Sequence, residues 1–300
     1  MDHPLRSDEY LSLRRDIYEL LKNGYSIPRQ SNIVFVCGGN KPRSLRRQFQ
    51  RKFPKLLPEF EFFEPEFAMK MYWTLGDTEP FDITTFEELI AALSHSIVIF
   101  PEAPGSIAET GYFSAKPDLA NNVLLVLDTE HLKKDSFISV GPAKRIDDSS
   151  KFGSHIEFSF KKPDFQRVAQ RLKDRRPPHA KLRTFEIKEF SEMSSFELFA
   201  LIQVVVYWLN IATIEDIEFI LRGLFKGTMS PSKVKQISSI LVGSKRLKEV
   251  SAFGHLQVNP SLPLILNVKD GAKTRIDVVK INLSSVFLEA DEDFRLLLGG

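Results

Sequence analysis

The strongest constraint on this chain is a repeated local pattern: short apolar runs with no polar alternation, each followed by a stretch of helical period. Asn32-Ile-Val-Phe-Val-Cys37 and Ser96-Ile-Val-Ile-Phe100 are such runs, rich in β-branched residues. A strand that shows no polar face is covered on both sides, as in a parallel sheet between layers of helices. Asn122-Val-Leu-Leu-Val-Leu127 repeats the pattern, and Glu59-Phe-Glu-Phe-Phe63 and His155-Ile-Glu-Phe-Ser-Phe160 are further strand candidates. Helical period runs from Ser44 to Phe53, from Thr84 to Ser94, onward from Pro104, and from Asp164 to Arg175. Strands alternating with helices imply right-handed crossovers, so residues 31–176 are expected to form a Rossmann-like α/β domain with a parallel sheet.

That rhythm stops at Asp174-Arg-Arg-Pro-Pro-His-Ala-Lys181, whose double proline suits neither a helix nor a central strand. A boundary is expected there, and a length of 300 residues leaves room for a second core. Beyond it, Ser194 to Asn210, Thr213 to Phe225 and Ser230 to Val242 read as helices, with Thr213 and Ser230 as N-caps and Pro231 at the first helical position. Lys248 to Val258 reads as a hairpin turning near Gly254. Helices followed by a hairpin predict a smaller winged helix-turn-helix-like domain over 182–300. Residues 1–30 carry an amphipathic helix from about Leu5 to Lys22, expected as an N-terminal embellishment.

No apolar run approaches the roughly 20 residues of a membrane span, and the charged start lacks the apolar core of a secretory signal, so a cytoplasmic protein is expected. The single cysteine, Cys37, excludes an internal disulfide and makes a cysteine-based zinc site implausible. It reads as a buried strand terminus. His131, His155, His179 and His255 show no metal-ligand spacing and read as surface or turn residues, so no metal and no bound cofactor are expected. Lys and Arg exceed Asp and Glu by 41 to 39, so any contact with a polyanion must come from local patches.

In an open parallel sheet, ligands sit outside the carboxyl ends of the strands. After the first strand, Gly38 and Gly39 with Asn40 offer either a backbone that approaches phosphate or ribose, or merely a tight turn. After the third, Pro104, Gly105 and Ser106 open a helix whose free N–H groups would face an anion. Glu109 lies one turn in, able to lean back toward the same cleft. A carboxylate there suits N-glycosidic cleavage, because it answers the positive charge that develops on the anomeric carbon. Equally, it could only complement the helix dipole. Glu66, Asp82 and Glu87 are secondary carboxylates near the cleft.

These phrases carry a resemblance. Val34-Phe-Val-Cys-Gly-Gly39, Phe63-Glu-Pro-Glu66 and Phe100-Pro-Glu-Ala-Pro-Gly-Ser-Ile-Ala-Glu-Thr-Gly111, with Ser136-Phe-Ile138 and Gly141-Pro142 in the same order, resemble the nucleoside 2-deoxyribosyltransferase-like effectors encoded beside bacterial retron reverse transcriptases. The resemblance implies an anti-phage toxin. It would be held silent by the reverse transcriptase and its RNA-linked DNA, in a complex that leaves room for a homo-oligomer, and would cleave the N-glycosidic bond of NAD or a related nucleotide when released. By position Glu109 is the catalytic glutamate, with Gly38-Gly39 and Gly105-Ser106 as substrate-binding loops. The true transferases carry an acidic pair that activates the base, for which only Glu87 and Glu102 are available here, so the resemblance favours hydrolysis over base exchange.

Two alternatives stand beside it. One is a phosphoribohydrolase acting on nucleoside monophosphates. The other is a nucleic-acid-binding module with a non-catalytic nucleotide-sensing domain, using Lys233, Lys235, Lys245, Arg246 and Lys248 as a recognition helix and wing. Those cations read equally well as a solvated face. The earlier run Lys41, Arg43, Arg46, Arg47, Arg51, Lys52 and Lys55 reads as a solvated helix face, because acidic residues elsewhere compensate its charge.

Overall fold

The computed structural model describes residues 3–29, 31–63, 83–130, 136–175, 182–251, 253–290 and 292–298. Glu66 and Asp82, and His131 and His179, lie outside them. Among the described residues no helix is long and apolar enough to cross a membrane.

In chain order, two short turns of 3-10 helix lead into α1 (Leu11–Asn23) and β1 (Tyr25–Pro28). The α/β rhythm follows: β2 (Ile33–Cys37), α2 (Leu45–Leu56), β3 (Glu61–Phe63), α3 (Ile83–Leu93), β4 (Ser96–Ile99), α4 (Pro104–Ser114), one turn α5 (Pro117–Ala120), β5 (Val123–Asp128), α6 (Lys144–Ser149), β6 (Ile156–Phe158) and α7 (Phe165–Asp174). Then come β7 (Leu182–Thr184), α8 (Ser195–Leu209), α9 (Ile214–Leu224), α10 (Pro231–Gly243), β8 (Leu247–Glu249), β9 (Leu256–Val258), β10 (Asn267–Val268), α11 (Lys273–Ala290) and α12 (Glu292–Leu298). The chain divides into two compact units, one from residues 30–64 and 82–180, the other containing 1–29 and 181–300.

The first unit is a five-stranded parallel sheet in the order β3-β2-β4-β5-β6. The chain leaves β2 toward one edge and crosses back to β4 toward the other, which opens a crevice where the ends of β2 and β4 part. Cys37 and Ile99 are paired at that end of the sheet. β2 is buried throughout, and its alternation sorts two faces. Val34 and Val36 join the cluster of Phe49 and Phe53 from α2 with Phe165, Val168 and Leu172 from α7. Phe35 turns the other way, edge-on to Phe63 at 6.4 Å and to Phe113 of α4 at 6.2 Å. By the two-residue period Cys37 shares Phe35's face. α2 runs past the expected stop at Phe53, through Pro54 to Leu56, and Leu57 N–H closes on the Phe53 carbonyl at 2.8 Å.

The N-terminal helix belongs to the second unit, together with residues 181–300. β1 is the middle strand of an antiparallel sheet, between β10 and β7, and α1 packs on α11. The Tyr25 hydroxyl accepts a 2.7 Å hydrogen bond from Trp208 Nε1 of α8. Tyr18 of α1 lies so close to Gly223 of α9 that a Cβ there would stand 1.8 Å from its hydroxyl. α8, with apolar residues on nearly every face, is the buried axis of this unit. Thr213 and Ser230 cap α9 and α10. β8 and β9 form the expected hairpin, with Gly254 at φ 78°, and Leu256 also bridges Ala212 between α8 and α9. His255, read as a turn residue, is buried and meets Ser251 Oγ at 2.7 Å.

Candidate active site

Glu109 stands on α4 one turn from its start, half-buried, at the end of the sheet where β2 and β4 part. The Cys37 thiol reports what surrounds it. Burial pushes that thiol well above its ordinary pKa, the charges of Glu109 and Glu87 push it further, and it donates a hydrogen bond to Glu109; Arg46 pulls the other way. The charges of two carboxylates from two helices and of one guanidinium therefore act on the terminal residue of β2. A thiol held protonated is a hydrogen-bond donor to Glu109 and not a nucleophile. Arg46 was read in the sequence as part of a solvated face, yet it is buried and lies with Nε 3.4 Å from the Gly39 carbonyl. Its place one residue into α2, beneath the Gly38-Gly39 turn, was the available signal.

The glycine turn does not present free amides to a ligand. Glu102 reaches across from the loop after β4, and its carboxylate accepts from Gly39 N at 2.9 Å, Leu45 N at 2.7 Å and Arg46 N at 3.2 Å. The anion at the start of α2 is thus part of the protein, and it takes up the positive helix end. The glycines are needed for this approach: a Cβ on Gly38 would stand 2.8 Å from Arg46 Cβ and 3.1 Å from Glu102 Oε1, and one on Gly39 2.9 Å from Ser44 Cβ. Asn40 is exposed, and its side-chain oxygen accepts from Arg47.

The start of α4 is more open. Pro104 and Gly105 are exposed, and a Cβ on Gly105 would meet nothing within 4 Å. Ser106 is buried, and its hydroxyl closes the turn on Ala103, accepting from its N–H at 3.1 Å and donating to its carbonyl at 3.0 Å. Its own side chain is therefore committed to the helix start. On the far side of this first turn Ile107 faces a cavity of about 440 Å³, walled by Glu102, Leu127, Asp128, Ile138 and Phe160. Ile138 leads into a single π turn, Ser139–Ala143, that packs on α4. Glu109, two residues beyond Ile107, points to the Cys37 side, so helix geometry separates the cavity from the carboxylates.

Of the cations expected to meet nucleic acid, Lys245 and Lys248 are exposed, while Lys233 and Lys235 are half-buried. The Lys233 ammonium sits 5.9 Å from the Phe190 ring centre, and burial holds its pKa down. Arg246 does not join them, because it is buried and donates to the Pro263 carbonyl at 2.9 Å. Among the described residues no group of three or more His, Cys, Asp and Glu side chains is arranged to hold a metal ion.

Known proteins with similar sequences come from retrons. The chain is 30% identical over 135 residues to the Escherichia coli protein named "Retron Ec86 putative ribosyltransferase/DNA-binding protein", a stretch covering 43% of this chain and 42% of that one. It is 28% identical over 127 residues to its Escherichia coli counterpart of the same name from retron Ec73, covering 41% and 40%. The matched stretch thus spans less than half the length of each relative. The model of the STM3845 retron effector protein family matches residues 42–249, which run from the turn before α2 to the hairpin strand β8. The chain therefore belongs to the STM3845 retron effector family.

Proposed function

We propose that this retron effector is a toxin whose α/β unit hydrolyses the N-glycosidic bond of NAD or a related nucleotide, with Glu109 as the carboxylate that meets the anomeric carbon. The observation that carries this reading is the place of Glu109, on the helix that follows β4, at the end of the sheet where the strand order turns back between β2 and β4. As the bond from C1′ to the base nitrogen breaks, its electron pair leaves with the base and positive charge builds on the sugar. A carboxylate stabilises that charge or attacks it to form a glycosyl-enzyme; water then supplies hydroxyl to C1′, and its proton goes to the departed base of a nucleoside monophosphate or, for NAD, whose nicotinamide leaves neutral, to solvent. Glu87 is the second carboxylate for proton transfer. Pro104 and Gly105, exposed at the helix start, form the entry for the anionic part of the substrate. The relatives named as ribosyltransferases support glycosyl transfer as the reaction type.

A second role belongs to the other unit. Its α8-α9-α10 succession, the β8-β9 hairpin and the Ala212–Leu256 bridge have the order of a winged helix, and the relatives' names include DNA binding. In this reading Lys245 and Lys248 approach phosphates of the reverse transcriptase's RNA-linked DNA, and that complex restrains the toxin.

The test of the first reading is Glu109→Gln, which keeps size and hydrogen bonding but removes the charge. Base or nicotinamide release from NAD and from nucleoside monophosphates should slow at least ~10²-fold, with substrate binding little changed. The fold should survive, since Gln fills the same space on α4 and can hydrogen-bond as Glu does. A mutant as fast as wild type on a substrate that wild type cleaves would make Glu109 a dipole partner only.

A further inference from the structure

The second unit holds a cavity of its own, about 420 Å³, behind the β8-β9 hairpin, where α8, β9, the loop after it and α11 meet. Its walls are chemically mixed. Val258, Leu262 and Leu264 supply apolar surface, and Tyr207, Asn210, Gln257 and Lys280 supply polar groups. Lys280 is the unusual one. Its ammonium lies 3.4 Å from the centre of the Tyr207 ring, half-buried, and burial lowers its pKa, with Asp277 acting weakly the other way. Among the described residues it forms no ion pair, so a partly desolvated cation is held at the cavity wall by a ring face alone.

The amides around it are unequally committed. Asn259, also in the wall, has its oxygen on Ser261 N at 3.0 Å and its nitrogen on the Lys245 carbonyl at 2.8 Å, so it is structural. Asn210, at φ 63° beyond the end of α8, donates through Nδ2 to Ser284 Oγ at 2.6 Å, which anchors the side chain and leaves its carbonyl oxygen as an acceptor. Gln257 is paired through its backbone with Lys248 across the hairpin, and its side chain lines the cavity. One cation, an amide able to donate and accept, a fixed acceptor and flanking aliphatic side chains match a phosphate joined to a planar heterocycle with donors and acceptors on its edge. A fatty acid would leave the amides unsatisfied, and a simple anion would leave the apolar wall empty.

We propose that this cavity binds a phosphorylated nucleoside, its phosphate on Lys280 and its base edge on Gln257 and Asn210 between Val258 and Leu262. The site is independent of the N-glycosidase reading, because it lies in the other compact unit and shares no residue with the Glu109 cluster. The same chemistry arises from a free mononucleotide or from an unpaired nucleotide of a strand.

The experiment follows the reactivity of Lys280 in the full chain. Lysines are acylated with limiting acetic anhydride near pH 8, and Lys280 is compared by peptide mass spectrometry with exposed Lys273. Probes are adenosine and thymidine 5′-monophosphates, unphosphorylated adenosine, inorganic phosphate and octathymidylate. A nucleoside monophosphate or the oligonucleotide should slow Lys280 acylation at least about fivefold and leave Lys273 unchanged, with phosphate or adenosine alone far weaker. Protection by the monophosphates identifies a free nucleotide as the ligand; protection by octathymidylate alone identifies a strand nucleotide. Lys280→Gln should weaken binding of the protecting probe about tenfold with an unchanged melting temperature, and Gln257→Leu should weaken it without altering Lys280 reactivity in the free protein. No protection by any probe, or phosphate alone protecting as well as the nucleotides, overturns the proposal.

Discussion

Glu102 shows how one side chain can look like a site residue and serve the fold. Its carboxylate gathers three backbone N–H groups from the Gly39 turn and the first turn of α2. Glu102→Ala should therefore destabilise the α/β unit by about 2 kcal/mol, a fall of about 4–8 °C in melting midpoint; a midpoint within 1 °C of wild type would contradict it. Lys151 gives a prediction with a sign. Its ammonium donates to the His95 carbonyl at 2.6 Å and burial lowers its pKa to about 8. In the unfolded chain the same amine titrates near 10.5. Between those values the unfolded chain holds the extra proton, so raising the pH through about 8 to 10.5 should add stability, and below 8 the full cost of burying the charge is present. Lys151→Met should flatten that contribution, seen by comparing urea midpoints of mutant and wild type at pH 7.5, 9 and 10.

At the scale of elements, the apolar runs made the sheet legible. β2 and β4 fall within the predicted segments and β5 runs one residue past its own, to Asp128, because a strand buried on both faces has no polar alternation to confuse it. Helix caps were legible as well, since Thr213 and Ser230 act through residues three positions away. Contacts between helices distant in sequence were not. Gly223 is where Tyr18 lies across α9. Gly223→Ala should cost roughly 1–3 kcal/mol through that overlap. Combining it with Tyr18→Ala should cost less than the sum of the single changes, because the truncated side chain makes room for the methyl. Additive losses in a double-mutant cycle of chemical denaturation would mean that the overlap relaxes without cost.

For the whole molecule, the N-terminal segment decides what can be removed. β1 hydrogen-bonds to both β7 and β10, and α1 packs on α11. Deleting residues 1–29 should raise hydrogen exchange across 182–298 while leaving the parallel sheet protected, because that sheet has its own core. Unchanged protection of β7 and α11 would refute this dependence. The sequence alone determined the parallel α/β sheet and the helix-and-hairpin order that follows it, because hydrophobic period and turn residues are local signals. Tertiary structure decided that the first 29 residues belong with the last 120, that Glu102 fills the glycine turn, that Arg246 is buried, and that the charges of Glu87, Arg46 and Glu109 act on Cys37. Each of those joins residues far apart in the chain, and no periodicity within a segment specifies which distant segment will cover it.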